Sequence, residues 1–360
     1  MTKFDWSKVE KPLVLYHGGC RDGCRDGWCS AFLAKLRFQD AELVPQQYGD
    51  PVGSDAEGRF AFRIDGEQKL IDVTDRDVIL LDFTYPRKVL EEMHDFARSL
   101  RVLDHHKSAT EDLQGLDFAV FDMDRSGCGI ALDEFFPGAR EKADAVEQLY
   151  FEKIPSTPRS DYTAEDLLRD AASLPALNNR TDGITYDQTL MSLTIEDWDL
   201  WRFKGDNTKE VCAYLDTVPR TIDAWNALPG CKVMVERGAS VLSYQRQQIE
   251  RIVKHAHFVS WPFGSGVVLN AVNSPVLQSE VGQALYERDP EHAALVWYRN
   301  EEMETICSLR SAKGGPDVSE MAKKFGGGGH RNAAGFKLLP SEHENAAWLW
   351  VASDRVEAKT

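Results

Sequence analysis

A chain of 360 residues is too long for one compact core, so two domains are expected. With 42 % hydrophobic residues it reads as an ordinary globular protein, and its formal charge of −16 excludes one that coats duplex nucleic acid through a broad basic face. A small positive pocket, or bound metal ions, remains compatible with a phosphorylated ligand.

The N-terminal part alternates strand and helix. "LVLYHG" (13–18) is an apolar run that stops at a glycine, and "GWCSAFLAKLRF" (27–38) puts Trp28, Ala31, Phe32 and Leu36 on one helical face. "DVILLDF" (77–83) reads as a buried parallel strand, and "PRKVLEEMHDFARSL" (86–100) as a helix opened by proline. "RVLDHH" (101–106) and "FAVFDMD" (118–124) are two more strands. The fold class expected is α/β, with a doubly wound parallel sheet in residues 1–220. A polar stretch at about 138–190 interrupts the rhythm as an insert. Residues 221–260 form a helical linker, for example "GASVLSYQRQQIERIVKHAHF" (238–258). Residues 261–360 form a smaller α/β domain, with strands "GVVLNAV" (266–272), "AALVWYR" (293–299) and "TICSLRS" (305–311), a helix "DVSEMAKKF" (317–325), then "GGGGHRNAAGF" (326–336).

Seven cysteines, an odd number with no Cys-x-x-Cys pair, point to a reducing cytoplasm. No signal-peptide pattern or membrane-length apolar run is present, so no membrane partner is expected.

The chemistry-bearing residues fall at strand ends. His17, Asp82, Asp104, His105 and His106 all close predicted strands, the edge where open α/β sheets bind ligands. Adjacent residues of an extended strand point to opposite faces, so His105 and His106 take different jobs: one can ligate metal while the other faces substrate. Asp104 can hydrogen-bond an imidazole and fix its tautomer. In "IEDWDLWRF" (195–203) either Asp197 or Asp199 could reach the same rim. The glycine run Gly326–Gly329 offers backbone N–H groups for an anion nest beside His330 and Arg331, and Arg310 is a candidate bidentate phosphate partner.

"HGGCRDGCRDGWCSA" (17–31) repeats four letters, Cys20–Gly23 and Cys24–Gly27, and so offers two acids. Either Asp22 or Asp26 could serve a site at this turn. Cys24 reads as a packing residue.

Together, "LDHHKSA" (103–109) and "GGGGHRNAAGF" resemble the DHH/DHHA1 phosphoesterase superfamily. "YHGGC…DGWCSAF", "YGDP" (48–51), "FDMDRSG" (121–127) and "DWDLW" are most similar to its NrnB-like oligoribonuclease branch. The resemblance implies a DHH catalytic domain, a helical linker and a DHHA1 substrate-binding domain. It implies two Mn²⁺ ions, with Mg²⁺ or Co²⁺ as substitutes, that bind the scissile phosphate and activate water. It gives His17 to one metal, Asp82 to a bridging position, and His105 and Asp197 to the other metal, with Asp197 preferred over Asp199 because the family's acid usually comes first in such a pair. In the family's first motif the acid beside the helix is a ligand, which makes Asp26 the favoured metal ligand here, while the spacing from His17 selects Asp22 as the second candidate. His106 then contacts the phosphate, with Asp104 behind it. In the second domain Arg310, Gly327, Gly328, Gly329, His330 and Arg331 hold the substrate's other end.

The activity implied is a hydrolase, an exonuclease-like phosphodiesterase acting on short single-stranded RNA or DNA oligonucleotides (nanoRNA, linear dinucleotides) and releasing nucleoside monophosphates. A phosphatase of 3′-phosphoadenosine-type nucleotides and a silent nucleotide-binding module are the alternatives. A homodimer is compatible with the sequence.

Overall fold

The computed structural model of the chain describes residues 4–18, 24–47, 53–64, 67–144, 183–261 and 267–341. The chain divides into two compact units, Met1–Ala239 and Ser240–Thr360.

The first unit is built on strands β1 (Leu13–His17), β2 (Glu42–Gln46), β5 (Asp77–Leu81), β6 (Ser99–Asp104) and β7 (Ala119–Phe121). They form one sheet in the order β2-β1-β5-β6-β7, every neighbouring pair parallel. A separate antiparallel hairpin, β3 (Arg59–Ile64) with β4 (Glu67–Asp72), precedes β5. Its helices are α1 (Arg25–Arg37), α2 (Arg87–Phe96), α3 (Lys107–Asp112), α4 (Gly127–Phe135), α5 (Tyr186–Asp199), α6 (Thr208–Leu215) and α7 (Ile222–Asn226), and α8 (Cys231–Val253) runs across the division at Ala239.

The period-two alternation of the central strands decides which layer covers which face. Leu13, Leu15, Val78, Leu80 and Val102 pack with Leu90 and Met93 of α2. Val14, Tyr16, Ile79, Leu81 and Leu103 pack on the other face with Trp28 and Phe32 of α1, Ile130 of α4 and Ile195 of α5. Both faces are thus covered, which explains why these strands read as unbroken apolar runs. The chain steps from β1 to β2 on one side, then crosses back to place β5 on the other side of β1. That reversal is a topological switch point, and it opens a crevice at the carboxyl ends of β1 and β5.

Local signals place the helices. The α5 start carries a capping box, with the Thr185 side chain on the Gln188 N–H and the Gln188 side chain on the Thr185 N–H. In α1, Asp26 lies in the first turn and Lys35 and Arg37 in the last, matching the helix dipole.

The second unit holds β8 (His257–Trp261), β9 (Val267–Asn273), α9 (Gln278–Arg288), β10 (Ala293–Arg299), β11 (Thr305–Arg310), α10 (Val318–Lys323), β12 (Gly328–His330) and β13 (Ala333–Leu338). Its six-stranded sheet runs β12-β13-β11-β10-β9-β8, parallel only between β9 and β10. Leu269, Leu295, Leu309, Val318 and Phe336 form its main core. The expected fold class, α/β with a parallel N-terminal sheet and a smaller C-terminal sheet domain, is the one found.

Several boundaries differ from the sequence reading. The helix expected over 86–100 stops at Phe96, because Arg98 and Ser99 both bond the buried Asp77 carboxylate and Ser99 starts β6. The helix expected over 238–258 stops at Val253, and His257 and Phe258 already pair with β9. Most of the stretch read as an insert, residues 145–182, lies outside the described residues. No helix among the described residues is long and apolar enough to cross a membrane.

Candidate metal centre

The carboxyl ends of β1, β5 and β6 bring their polar residues to one rim. His17 is the last residue of β1, Asp82 follows β5, and Asp104 closes β6, followed by His105 and His106. Asp82 turns out of its strand with φ of 61°, a left-handed conformation that aspartate tolerates better than bulkier residues.

His105 stands at the centre of three acids. Its Nε2 lies 3.2 Å from Asp82 Oδ1, 3.6 Å from Asp199 Oδ2 and 3.9 Å from Asp26 Oδ2. His105, Asp26 and Asp82 are each at most 3 % exposed. Burial, then the charges of Asp26, Asp199 and Asp104, push the Asp82 carboxyl well above the usual range. Burial and the Asp26 charge raise Asp199 to about 6. Asp26 goes the other way: burial opposes its ionisation, but His105 and hydrogen bonds from Cys128 and Ser126 outweigh it.

Those bonds come from the start of α4. Asp26 Oδ1 accepts from Ser126 Oγ at 2.7 Å and from the Cys128 N–H at 2.9 Å, and Oδ2 accepts from the Gly127 N–H at 2.6 Å. Asp26 therefore sits at the positive end of α4 while its carboxylate also faces His105. Gly127 is required by close approach, since a Cβ there would lie 2.5 Å from Asp82 Cβ.

Asp104, fully buried, orients the adjacent imidazole. Its Oδ1 bonds His106 Nδ1 at 2.7 Å and accepts the His105 N–H at 2.8 Å. His17 joins the group electrostatically: burial, then the His106 charge, lower it to about 4 against the pull of Asp104 and Asp26.

Among the described residues two donor sets are compact enough to hold a cation: Asp82, Asp104, His105 and His106, and Asp26, His105 and Asp199. Asp104 Oδ2 is buried with no hydrogen-bond partner among the described residues, an unmet acceptor of the kind a cation satisfies. Carboxylate oxygens with imidazole nitrogens suit divalent ions of the Mg/Mn class. The residues fit a metal centre.

The sequence-based candidates divide as follows. His17, Asp26, Asp82, Asp104, His105 and His106 come together. Asp197 does not: its carboxylate accepts from the N–H groups of Lys204 (2.9 Å) and Gly205 (3.1 Å) and from Thr208 Oγ1 (2.5 Å). Asp199, the last residue of α5, faces His105 instead. Asp22 and the "YGDP" stretch lie outside the described residues. Cys24 does more than pack: its side chain caps α1 on the Gly27 N–H, and its thiol lies 3.4 Å from Asp82 Oδ2 as donor. Sequence reasoning misses Ser126 as a site residue, although Ser before the apolar run "GCGIALDEF" is an N-cap signal.

In the second unit the glycine run forms a hairpin rather than an open nest. Gly328–His330 pairs with Ala333–Gly335, and the Gly327 N–H bonds the Ala322 carbonyl. A Cβ on Gly327 would lie 2.1 Å from the Gly335 carbonyl oxygen, which accounts for the glycine there. Arg331, at the hairpin turn, pairs with Asp317 at 3.1 Å. The Arg310 guanidinium bonds Ser279 Oγ, Ser308 Oγ and the Leu309 carbonyl.

Comparison with known proteins gives the following. An uncharacterized protein of Acanthamoeba polyphaga mimivirus is 25 % identical over 339 residues, covering 92 % of this chain and 68 % of its own length. Among solved structures, an exopolyphosphatase-related protein from Bacteroides fragilis aligns over 96 % of this chain and 92 % of its own, at 12 % identity and a TM-score of 0.41. A pGpG-specific phosphodiesterase from Vibrio cholerae covers 94 % and 97 %, at 14 % identity and 0.34. An uncharacterized protein from Helicobacter pylori covers 91 % and 93 %, at 13 % identity and 0.31. Residues 266–348 match the DHHA1 domain family, which places a DHHA1 domain in the C-terminal unit.

Proposed function

We propose that the chain is a DHH-type phosphoesterase that hydrolyses very short oligonucleotides, linear dinucleotides included, to nucleoside monophosphates, with Mn²⁺ as its working ion. The observation that carries this reading is His105 Nε2 within 3.9 Å of three carboxylates, beside the Asp104–His106 pair with its unmet Oδ2. The DHHA1 match adds to it, since the resemblance pairs that domain with a DHH centre.

In this reading Asp26, Asp82, Asp104 (through Oδ2), Asp199, His105 and His17 hold the ions. Bound divalent ions supply positive charge for a phosphate and lower the pKa of water beside it. The chain's own residues do the rest. Ser126 and the α4 N-terminus fix Asp26 in place. Asp104 holds His106 through Nδ1, which fixes the orientation in which that imidazole meets a phosphate oxygen or the leaving group. His330 and Arg331, exposed on the hairpin of the second unit, are assigned to bind a phosphate there. The acidic rim excludes bare phosphate without cations, so activity is strictly metal-dependent.

The test is product analysis with a 5′-phosphorylated RNA dinucleotide and Mn²⁺. The reading expects two mononucleotides, and none with EDTA. An intact dinucleotide alongside phosphate release from a 3′-phosphoadenosine nucleotide would replace it with the phosphatase reading.

A further inference from the structure

Three aromatic rings crowd the turn that follows Asp199. Trp198 and Phe203 lie 5.5 Å apart, Trp201 and Phe203 5.2 Å, and Trp198 and Trp201 6.2 Å, centroid to centroid. Trp201 packs against both neighbours and still leaves 37 % of its surface exposed. Trp201 and Phe203 both hold left-handed backbone, at φ of 51° and 45°, a conformation bulky side chains rarely adopt. Such strain persists only where surrounding bonds impose it.

Asp197 imposes it. Its backbone carbonyl accepts the Arg202 N–H, and its carboxylate ties down Lys204, Gly205 and Thr208. Arg202 anchors the turn to the Asp124 carbonyl at 2.7 Å, in the loop that leads to Ser126. On the other side Arg25, the neighbour of Asp26, lies 4.9 Å over the Trp198 ring. The aromatic turn therefore borders the acid cluster through Asp199, next to Trp198 in the chain, and meets Arg25, next to Asp26.

We infer that Trp201 is a nucleobase-stacking residue, which takes the base next to the phosphate held at the rim. This rests on the proposed reading of the site and assigns its specificity element. Every base presents a π-face to a tryptophan, and the bases of a dinucleotide flank its single phosphodiester. Stacking supplies affinity without phosphate contacts, which suits a chain whose net charge repels nucleic acid.

The test is calorimetric binding of AMP and of ribose 5-phosphate in Mn²⁺, run beside dinucleotide cleavage. The wild type should bind AMP more tightly than ribose 5-phosphate. Trp201→Ala should weaken AMP by about fivefold or more and leave ribose 5-phosphate unchanged, while Trp201→Tyr keeps most of the AMP affinity. Trp201→Leu, which keeps an apolar side chain without a π-face, should show the same loss of AMP binding and takes the place of the alanine variant if that one does not fold. AMP binding unchanged in Trp201→Ala or Trp201→Leu, or wild type that does not prefer AMP, overturns the inference. Cleavage without Trp201-dependent AMP binding leaves the proposed function standing and removes the stacking site. Trp201-dependent AMP binding without cleavage does the reverse.

Discussion

His105 Nε2 and Asp199 Oδ2 lie 3.6 Å apart, although one follows the fourth strand of a parallel sheet and the other ends a helix far later in the chain. The contact joins the DHH segment to the aromatic turn.

The first prediction concerns pH. The Asp199 carboxyl titrates near 3.8 in the unfolded chain and at about 6 when folded. Between those values the folded state binds more protons, so this group costs stability progressively as pH rises from about 4 to 6, and the cost stays constant above that. His17 acts with opposite sign. Its folded value of about 4, against 6.5 unfolded, gives stability that is present at neutral pH and lost as pH falls toward 4. Comparing variants isolates Asp199. Without divalent cation, the Tm of Asp199→Asn minus that of wild type should grow from pH 4 to 6 and then level off. Adding Mn²⁺ at pH 7 should reverse the order. Thermal unfolding of both proteins across that range checks it.

Ser126 links helix stability to the acid cluster. Its hydroxyl donates to Asp26 Oδ1 and accepts the Gly129 N–H at 3.2 Å as N-cap of α4. Ser126→Ala should cost about 1–2 kcal/mol in urea unfolding. It should also weaken Mn²⁺ binding by roughly 10- to 100-fold, because Asp26 loses the donor that orients it. A variant with lower stability and unchanged metal affinity would show that the cap and the cluster are independent.

Gly127 tests close approach. A methyl group there meets Asp82 Cβ at 2.5 Å and Cγ at 2.8 Å, and neither is the free end of a flexible side chain. Gly127→Ala should destabilise by about 1–3 kcal/mol and abolish activity by displacing Asp82. Gly53→Ala, whose added methyl would meet nothing within 4 Å, should leave both unchanged. Urea midpoints and dinucleotide cleavage for the pair provide the check.

Much of this arrangement is legible in the sequence. Apolar runs ending at His17, Asp82 and Asp104 are the signature of parallel strands buried on both faces, and three such ends imply a shared rim. The acid of α5 is not legible, because Asp197 and Asp199 differ only in which bonds the chain makes after the helix ends. Asp197 is taken by Lys204, Gly205 and Thr208, contacts set by the turn rather than by spacing. The β3–β4 hairpin and the short β2, with Pro45 inside it, carry weak strand patterns and escape a sequence reading. The glycine run is legible as a place of close backbone approach but not as a strand, since its partner, Ala333–Gly335, pairs by register.

The most direct measurement compares Asp199→Asn with Asp197→Asn for bound Mn²⁺ and for cleavage of a 5′-phosphorylated RNA dinucleotide. The account predicts that wild type binds the ion and releases mononucleotides, that Asp199→Asn loses both by about tenfold or more, and that Asp197→Asn keeps its ion. A wild type that binds no divalent ion, or an Asp199→Asn variant as active as wild type, would contradict it.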